Sequence, residues 1–216
     1  MFRKALHRLR RRFRRPATGR FQPYNFTLAD RYPWLFEFAA QQIDVEAPRL
    51  LSFGCSHGLE VAALRKYFPS AEIRGLDIDP RNIATCVKSI GNYAGLSFAT
   101  ASTTEEEASQ SYDAIFCLAV LVHGDLTSLG AERCDHLICF EDFERIVRDF
   151  SRCLRPNGLL CLHTTNFRFC DSDVAGDFDV LLEAQSHQLA ADVKFDRSNR
   201  LLPNENYYPV VFRKRV

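Results

Sequence analysis

The stretch LLSFGCSHGLE, residues 50–60, carries an apolar run straight into a turn punctuated by two glycines. The run Leu50–Phe53 reads as a buried strand. Gly54 and Gly58 bracket a turn where the backbone bends sharply or comes close to a ligand. A helical pattern begins at once after Gly58, and this strand–turn–helix junction sets the register for the chain on either side.

Downstream the pattern alternates. RLLSFGC is a strand and LEVAALRKYFP a helix stopped by Pro69. EIRGLD is a second strand, followed by the helix PRNIATCVKSI, with Pro80 in its first turn and Gly91 past its end. LSFAT is a short strand, then a polar stretch, ASTTEEEASQS, precedes the strand YDAIFCLAVL. FEDFERIVRDFSRCL is a strongly periodic helix closed by the turn RPNG, and LLCLHTT is the next strand. The reading continues with a helix over 174–188, then ADVKFD and YYPVVFRKRV as two strands joined by a polar turn region. Several strands are too apolar for a sheet with one wet face, so the expectation is α/β: an open, mostly parallel sheet of seven strands with helices on both faces.

Upstream, residues 21–47 form an aromatic lead-in, in which Trp34, Leu35 and Phe38 suit a short amphipathic helix packed on the main domain, itself spanning residues 48–216. Residues 1–20 hold nine Lys or Arg and no acid, while the remainder has 19 basic and 27 acidic residues. The near-neutral total therefore hides an acidic body and a basic amphipathic arm. The arm suits an anionic lipid surface, a nucleic acid or a mitochondrial presequence. A disordered solubilising tail accounts for it equally well. No apolar run approaches the roughly 18 residues that span a bilayer. The eight cysteines show no framework spacing and predict free thiols in a reducing compartment. The expected location is cytoplasmic, or mitochondrial if the arm is a presequence.

In an open parallel sheet a ligand sits at the carboxyl ends of the strands, which favours the Gly54 turn. A dinucleotide fingerprint needs glycine at the first, third and sixth places, here Gly54, Ser56 and Leu59, and two of the three fail. Asp77, at the end of the second strand, is placed to accept hydrogen bonds from a ribose diol. With these residues the chain resembles the class I S-adenosylmethionine-dependent methyltransferases. SFGCSHG is similar to their first motif, with Ser52 in the acid position and Ser56 in the middle glycine position; GCSHGLE is also similar to the CSTGEE loop of chemotaxis receptor methyltransferases. GLDIDP, YDAIFCLAVL and FERIVRDFSRCLRPNGLLCLHTTN follow in the family's order, and the closing strands resemble its terminal hairpin, whose last strand inserts antiparallel between the fifth and sixth.

The resemblance implies S-adenosylmethionine as cofactor and methyl transfer to an O or N acceptor, with a small molecule or protein favoured over nucleic acid because the body is acidic. It places Gly54, Cys55, Ser56 and Gly58 along the methionine part, Asp77 on the ribose, and Ile78 over the adenine. Ser102 would serve near the adenine amino group, where the family often has an acid, and Leu118 and Ala119 would border the sulfonium. Ser52 carries no charge, which predicts lower cofactor affinity or a different arrangement of the loop. A non-catalytic binding or scaffold domain is the alternative function, and a nicotinamide-dependent oxidoreductase is disfavoured by the glycine spacing.

On the acceptor side, LAVLVHGDL offers His123 as a general base and HTTNFRF offers Asn166 and Phe167 as acceptor contacts. Equally, the phenylalanines there are core and Asn166 begins a turn. Cys134, His136 and Cys139 match no standard zinc spacing, so no metal is expected.

Overall fold

The computed structural model describes residues 21–24, 27–28, 31–190 and 192–216. The basic arm, residues 1–20, lies outside the described residues. Helix α1 (Pro33–Gln42) precedes β1 (Arg49–Phe53), α2 (Leu59–Tyr67), β2 (Glu72–Asp77), α3 (Pro80–Ile90), β3 (Leu96–Thr100) and β4 (Tyr112–Leu118). A short α4 (Asp125–Leu129), the long α5 (Phe140–Cys153), β5 (Leu154–His163), β6 (Phe178–Glu183), β7 (Lys194–Phe195), β8 (Leu201–Leu202) and β9 (Pro209–Lys214) complete the chain. Seven strands form one sheet in the order β3-β2-β1-β4-β5-β9-β6. Neighbours from β3 to β5 are parallel, and β9 runs antiparallel to both β5 and β6.

The central strand β4 is buried along its whole length, because both faces of the sheet are covered. Its alternating side chains divide the core. Ile115 and Cys117 face α5, which offers Phe143, Ile146, Val147 and Phe150 at helical spacing. Ala114, Phe116 and Leu118 face the other way, towards Leu35, Phe36 and Ala39 of α1 and Val61 and Leu64 of α2. The amphipathic lead-in helix is therefore part of the covering layer. The outer face of α5 carries ion pairs instead, Arg145 with Asp142 at 2.8 Å and Arg152 with Asp149 at 3.3 Å. Among the described residues no helix is long and apolar enough to cross a membrane.

Three expectations are corrected. The segment 174–188 is not a helix: a single 3-10 turn leads into the edge strand β6. Its register against β9 shifts twice, between Val180 and Leu182 and between Leu182 and Glu183, and these irregularities erase the period-two pattern that marks a strand. ADVKFD does not supply the sixth strand either. Lys194 and Phe195 pair with Leu202 and Leu201 in a separate two-stranded ribbon, while β9 inserts beside β5 as the resemblance implied. Finally, RPNG does not end before the strand but bulges within it. Leu154 lies opposite Tyr112 and Leu159 opposite Ala114, with Asn157 in the left-handed region between them (φ 65°).

Candidate active site

A cavity of about 570 Å3 opens at the carboxyl ends of β1, β2, β4 and β5. Its floor is the glycine turn. Gly54 has φ 77°, and a Cβ there would fall 2.4 Å from Cγ2 of Val120, so only glycine fits between β1 and the loop after β4. The N–H groups of Gly54 and Cys55 donate to the Leu76 carbonyl at 2.7 and 2.9 Å, and Ser56 N–H donates to Oδ2 of Asp77 at 2.8 Å. Oδ1 of Asp77 accepts from Asp79 N–H at 2.8 Å and from Nδ2 of Asn82 at 2.9 Å. Asp77 thus ties the turn to the start of α3 while lining the cavity. A carboxylate has about four lone-pair sites, so with three of them used one remains for a ligand hydroxyl.

Ser52, which the resemblance put in the acid position of the first motif, is fully buried and donates from Oγ to Oε1 of Glu60 at 2.7 Å. Glu60 stands in the first turn of α2 and lines the cavity. Burial pushes its carboxyl up to about 8, partly offset by the Ser52 hydroxyl and by the charge of Arg31. The carboxyl group missing from the strand is therefore supplied from the helix, and it takes on charge only when a cation joins it. Arg31 also lines the cavity, with its guanidinium 5.2 Å from the centre of the Tyr32 ring. Sequence reasoning gave neither residue a role. A glutamate in the first turn of a helix reads as a partner of the helix dipole, and only the pairing with Ser52 distinguishes it.

Ile78, Ser102, Leu118 and Ala119 all line the cavity, as do Cys55 and Ser56. Ile78 is well exposed for so apolar a residue, which leaves a flat aliphatic face at the rim. Gly58 does not line it. Its φ is 86°, and a Cβ there would meet Ile90 Cδ1 at 3.0 Å and Cys86 Sγ at 3.1 Å, so it permits the close approach of α2 to α3. Left-handed backbone gathers here: Ser56 at φ 49°, Ala119 at 58° and Thr164 at 57° join Gly54 around the same cavity. Such residues persist where the surroundings over-determine them.

The acceptor-side expectations need correction. Val122 and Gly124 line the cavity, but His123 between them does not. Its backbone N–H donates to Oδ1 of Asn166 at 2.6 Å, and its Nδ1 is buried without a hydrogen-bond partner among the described residues. Burial lowers its basicity, and Asp125 only partly compensates. Asn166 is fully buried, its amide donating to the Val193 carbonyl at 2.8 Å, and so clamps two loops together. Phe167 is also fully buried, 5.5 Å between ring centres from Phe140 and from Phe143. Left-handed Thr164 redirects the chain after β5, and these side chains turn into the core.

What reaches the cavity from β5 is Thr164 itself, joined by Asp192 and by Tyr32 of the lead-in. Asp192 is bonded to the buried ammonium of Lys194 at 2.6 Å, and burial raises its carboxyl above the usual range. The Thr164 hydroxyl is 2.6 Å from Nδ1 of His163, whose Nε2 is 3.0 Å from the Gln188 carbonyl. Desolvation pushes His163 down to about 4, so the ring is neutral at physiological pH.

The methyltransferase domain family matches residues 51–160, half of the sequence, from β1 into β5. The chain belongs to that family. Membership bears out the sequence reading of a class I S-adenosylmethionine-dependent methyltransferase, with S-adenosylmethionine as cofactor. No curated protein matches this methyltransferase domain. Among solved structures it is similar to an S-adenosylmethionine-dependent methyltransferase from Mesorhizobium loti, with 20% identity over 63% of this chain and 54% of that one, at a TM-score of 0.45. It is also similar to the plantazolicin methyltransferase BpumL, solved with a desmethyl plantazolicin analogue and S-adenosylhomocysteine. There the identity is 16% over 63% of this chain and 47% of that one, at a TM-score of 0.47. The chain spans about half the length, or less, of the solved structures it matches.

Proposed function

We propose that this chain transfers a methyl group from S-adenosylmethionine to a hydroxyl or amino acceptor of a small molecule or protein. The observation that carries the reading is the cavity's pair of polar groups: a buried carboxyl, Glu60, and a guanidinium, Arg31, both line it beside the glycine turn. This pair matches the ammonium and carboxylate of an amino-acid moiety. The open lone pair of Asp77 suits a ribose hydroxyl, and Ile78 suits the face of a flat base. Bound there, the cofactor supplies a methyl on a sulfonium, with the leaving group built in.

The chain's own work is to orient and to exclude water. Gly54 lets the backbone lie flush with the ligand, Leu118 and Ala119 give the end of β4 an apolar lip, and Tyr24 and Leu28 of the lead-in add to the wall. The basic arm is proposed to engage an anionic surface and to take no part in the cavity.

Calorimetry with S-adenosylhomocysteine tests the reading. In the free protein Glu60 is mostly protonated at pH 7, since its carboxyl titrates at about 8. A ligand ammonium favours the carboxylate, so binding releases protons. Affinity should rise from pH 6 to 8 and level off above. The apparent enthalpy should vary with the buffer's ionisation heat, and Glu60→Gln should abolish that variation. Absence of binding at any pH would remove the proposal.

A further inference from the structure

Four carboxyl groups stand in the described wall of the cavity, and the cofactor employs two of them, Glu60 for its ammonium and Asp77 for its ribose. Asp79 is held by the Arg81 guanidinium at 3.0 and 2.7 Å and caps α3. Asp192 is left over. Its Oδ2 accepts from the buried ammonium of Lys194 at 2.6 Å. Its Oδ1 accepts no hydrogen bond from another described residue and stays accessible, on a side chain that is 10% exposed.

The strands fix where this carboxylate stands. Leu118, the last residue of β4, lies opposite His163, the last of β5, and Ala119 N–H donates to the His163 carbonyl at 2.8 Å. The two strand ends are therefore side by side. Three hydrogen bonds stitch the segment around Asp192 to the chain leaving β5. Nδ2 of Asn166 donates to the Val193 carbonyl at 2.8 Å, Phe195 N–H to the Asn166 carbonyl at 2.8 Å, and Nζ of Lys194 to the Thr165 carbonyl at 2.5 Å. Asp192 thus belongs to the β5 end of the cavity, one strand over from the apolar lip of β4. Asp77 ends β2, three strand spacings or about 14 Å from β5. A cofactor with its ribose on Asp77 and its sulfonium at the lip leaves Asp192 on the far side of the methyl. The ion pair is not explained by stability, since an apolar pair of similar volume is usually as stable in a dry wall. What it provides is a carboxylate that Lys194 keeps ionised and whose proton affinity burial raises above the usual range.

We infer that the free oxygen of Asp192 receives the hydrogen of the acceptor's nucleophile, so the acceptor is an alcohol or amine that still carries a polar hydrogen when it docks. The inference rests on the methyltransferase reading. The lone pair of the acceptor X–H attacks the methyl carbon, the carbon–sulfur bond breaks, and its electron pair stays on sulfur. The proton of X–H passes to Oδ1 of Asp192 and from there to solvent. This is the part that sequence reasoning gave to His123, whose ring does not line the cavity.

The test needs no identified acceptor. Sinefungin carries an amino-bearing carbon where the cofactor has its sulfur and methyl, so its ammonium stands where the nucleophile would approach; S-adenosylhomocysteine has no group there. Calorimetry on the full chain should show Asp192→Asn weakening sinefungin by about tenfold or more, the range for hydrogen bonds to charged groups, with S-adenosylhomocysteine affinity unchanged. That variant leaves the Lys194 ammonium buried and unpaired, which endangers folding. The double variant Asp192→Asn with Lys194→Met removes both charges together and keeps the net charge of the wall. It should show the same selective loss, because only the contact with the carboxylate is gone. Equal effects on the two ligands, or no effect on either in a variant that binds S-adenosylhomocysteine normally, would overturn the inference. Failure of the wild-type chain to bind S-adenosylhomocysteine would instead sink the methyltransferase reading and take this inference with it.

Discussion

Every group bonded to the Asp77 carboxylate is a donor: two backbone N–H groups and the amide of Asn82. An asparagine there must turn its own N–H2 towards one of them. Asp77→Asn should therefore lower stability as well as ligand affinity, by about 1.5–3 kcal/mol, the range for hydrogen bonds to a charged group. Thermal unfolding without ligand reads the first effect, and an unchanged midpoint would show that the turn holds without the carboxylate. Most of the residues expected at the cofactor do line the cavity, and they were legible because the pattern is local: glycine, strand-end acid and strand-end apolar residues lie where a strand–turn–helix pattern puts them. The acceptor side was not. Whether His123 or Asn166 faces a cavity depends on the left-handed backbone at Ala119 and Thr164, and neither residue type announces such a conformation. Arg31 and Tyr32 were hidden for another reason, since an aromatic lead-in is explained well enough by packing.

Among the elements, those whose side-chain periods are regular were read correctly, β1, β2, β3 and β4 with the helices Leu59–Tyr67, Pro80–Ile90 and Phe140–Cys153, although β4 ends at Leu118, short of the Leu121 expected. The failures were α4 and β8, which were not read at all, β6, which was read as a helix, and β7, a strand whose partner was misjudged. In β6 two register shifts break the alternation, and its Leu- and Glu-containing sequence suits a helix until β9 offers hydrogen-bonding partners. That places a heavy demand on β9, whose Val210, Val211 and Phe212 are buried. Removing residues 209–216 should leave β5 and β6 with bare edges facing each other, and the product should aggregate. Light scattering of the expressed fragment decides this, and a soluble monomer with native circular dichroism would contradict it.

Across the whole molecule, charge is segregated: the first twenty residues are strongly basic and the rest is acidic. The described wall of the cavity begins at Phe21. Deletion of residues 1–20 should leave S-adenosylhomocysteine affinity unchanged. It should abolish any binding to anionic vesicles or RNA that weakens steeply with salt. Sedimentation with vesicles at low and high ionic strength, beside calorimetry on the same deletion, checks both halves. A loss of cofactor affinity on deletion would make the arm part of the site.

The position of β9 also bears on the order of events during synthesis. Residues 184–208 separate β6 from β9, yet β9 lies between β5 and β6 in the finished sheet. As the chain emerges from the ribosome, β1 to β5 can pair with one another in turn, but β6 has no neighbour until residues 209–214 are free. The sheet therefore passes through a stage in which β5 is an open parallel edge, flat, apolar and ready to pair with another chain. This interval, set by translation speed rather than by the stability of the finished fold, is when the protein is most exposed to misassembly and most in need of a chaperone.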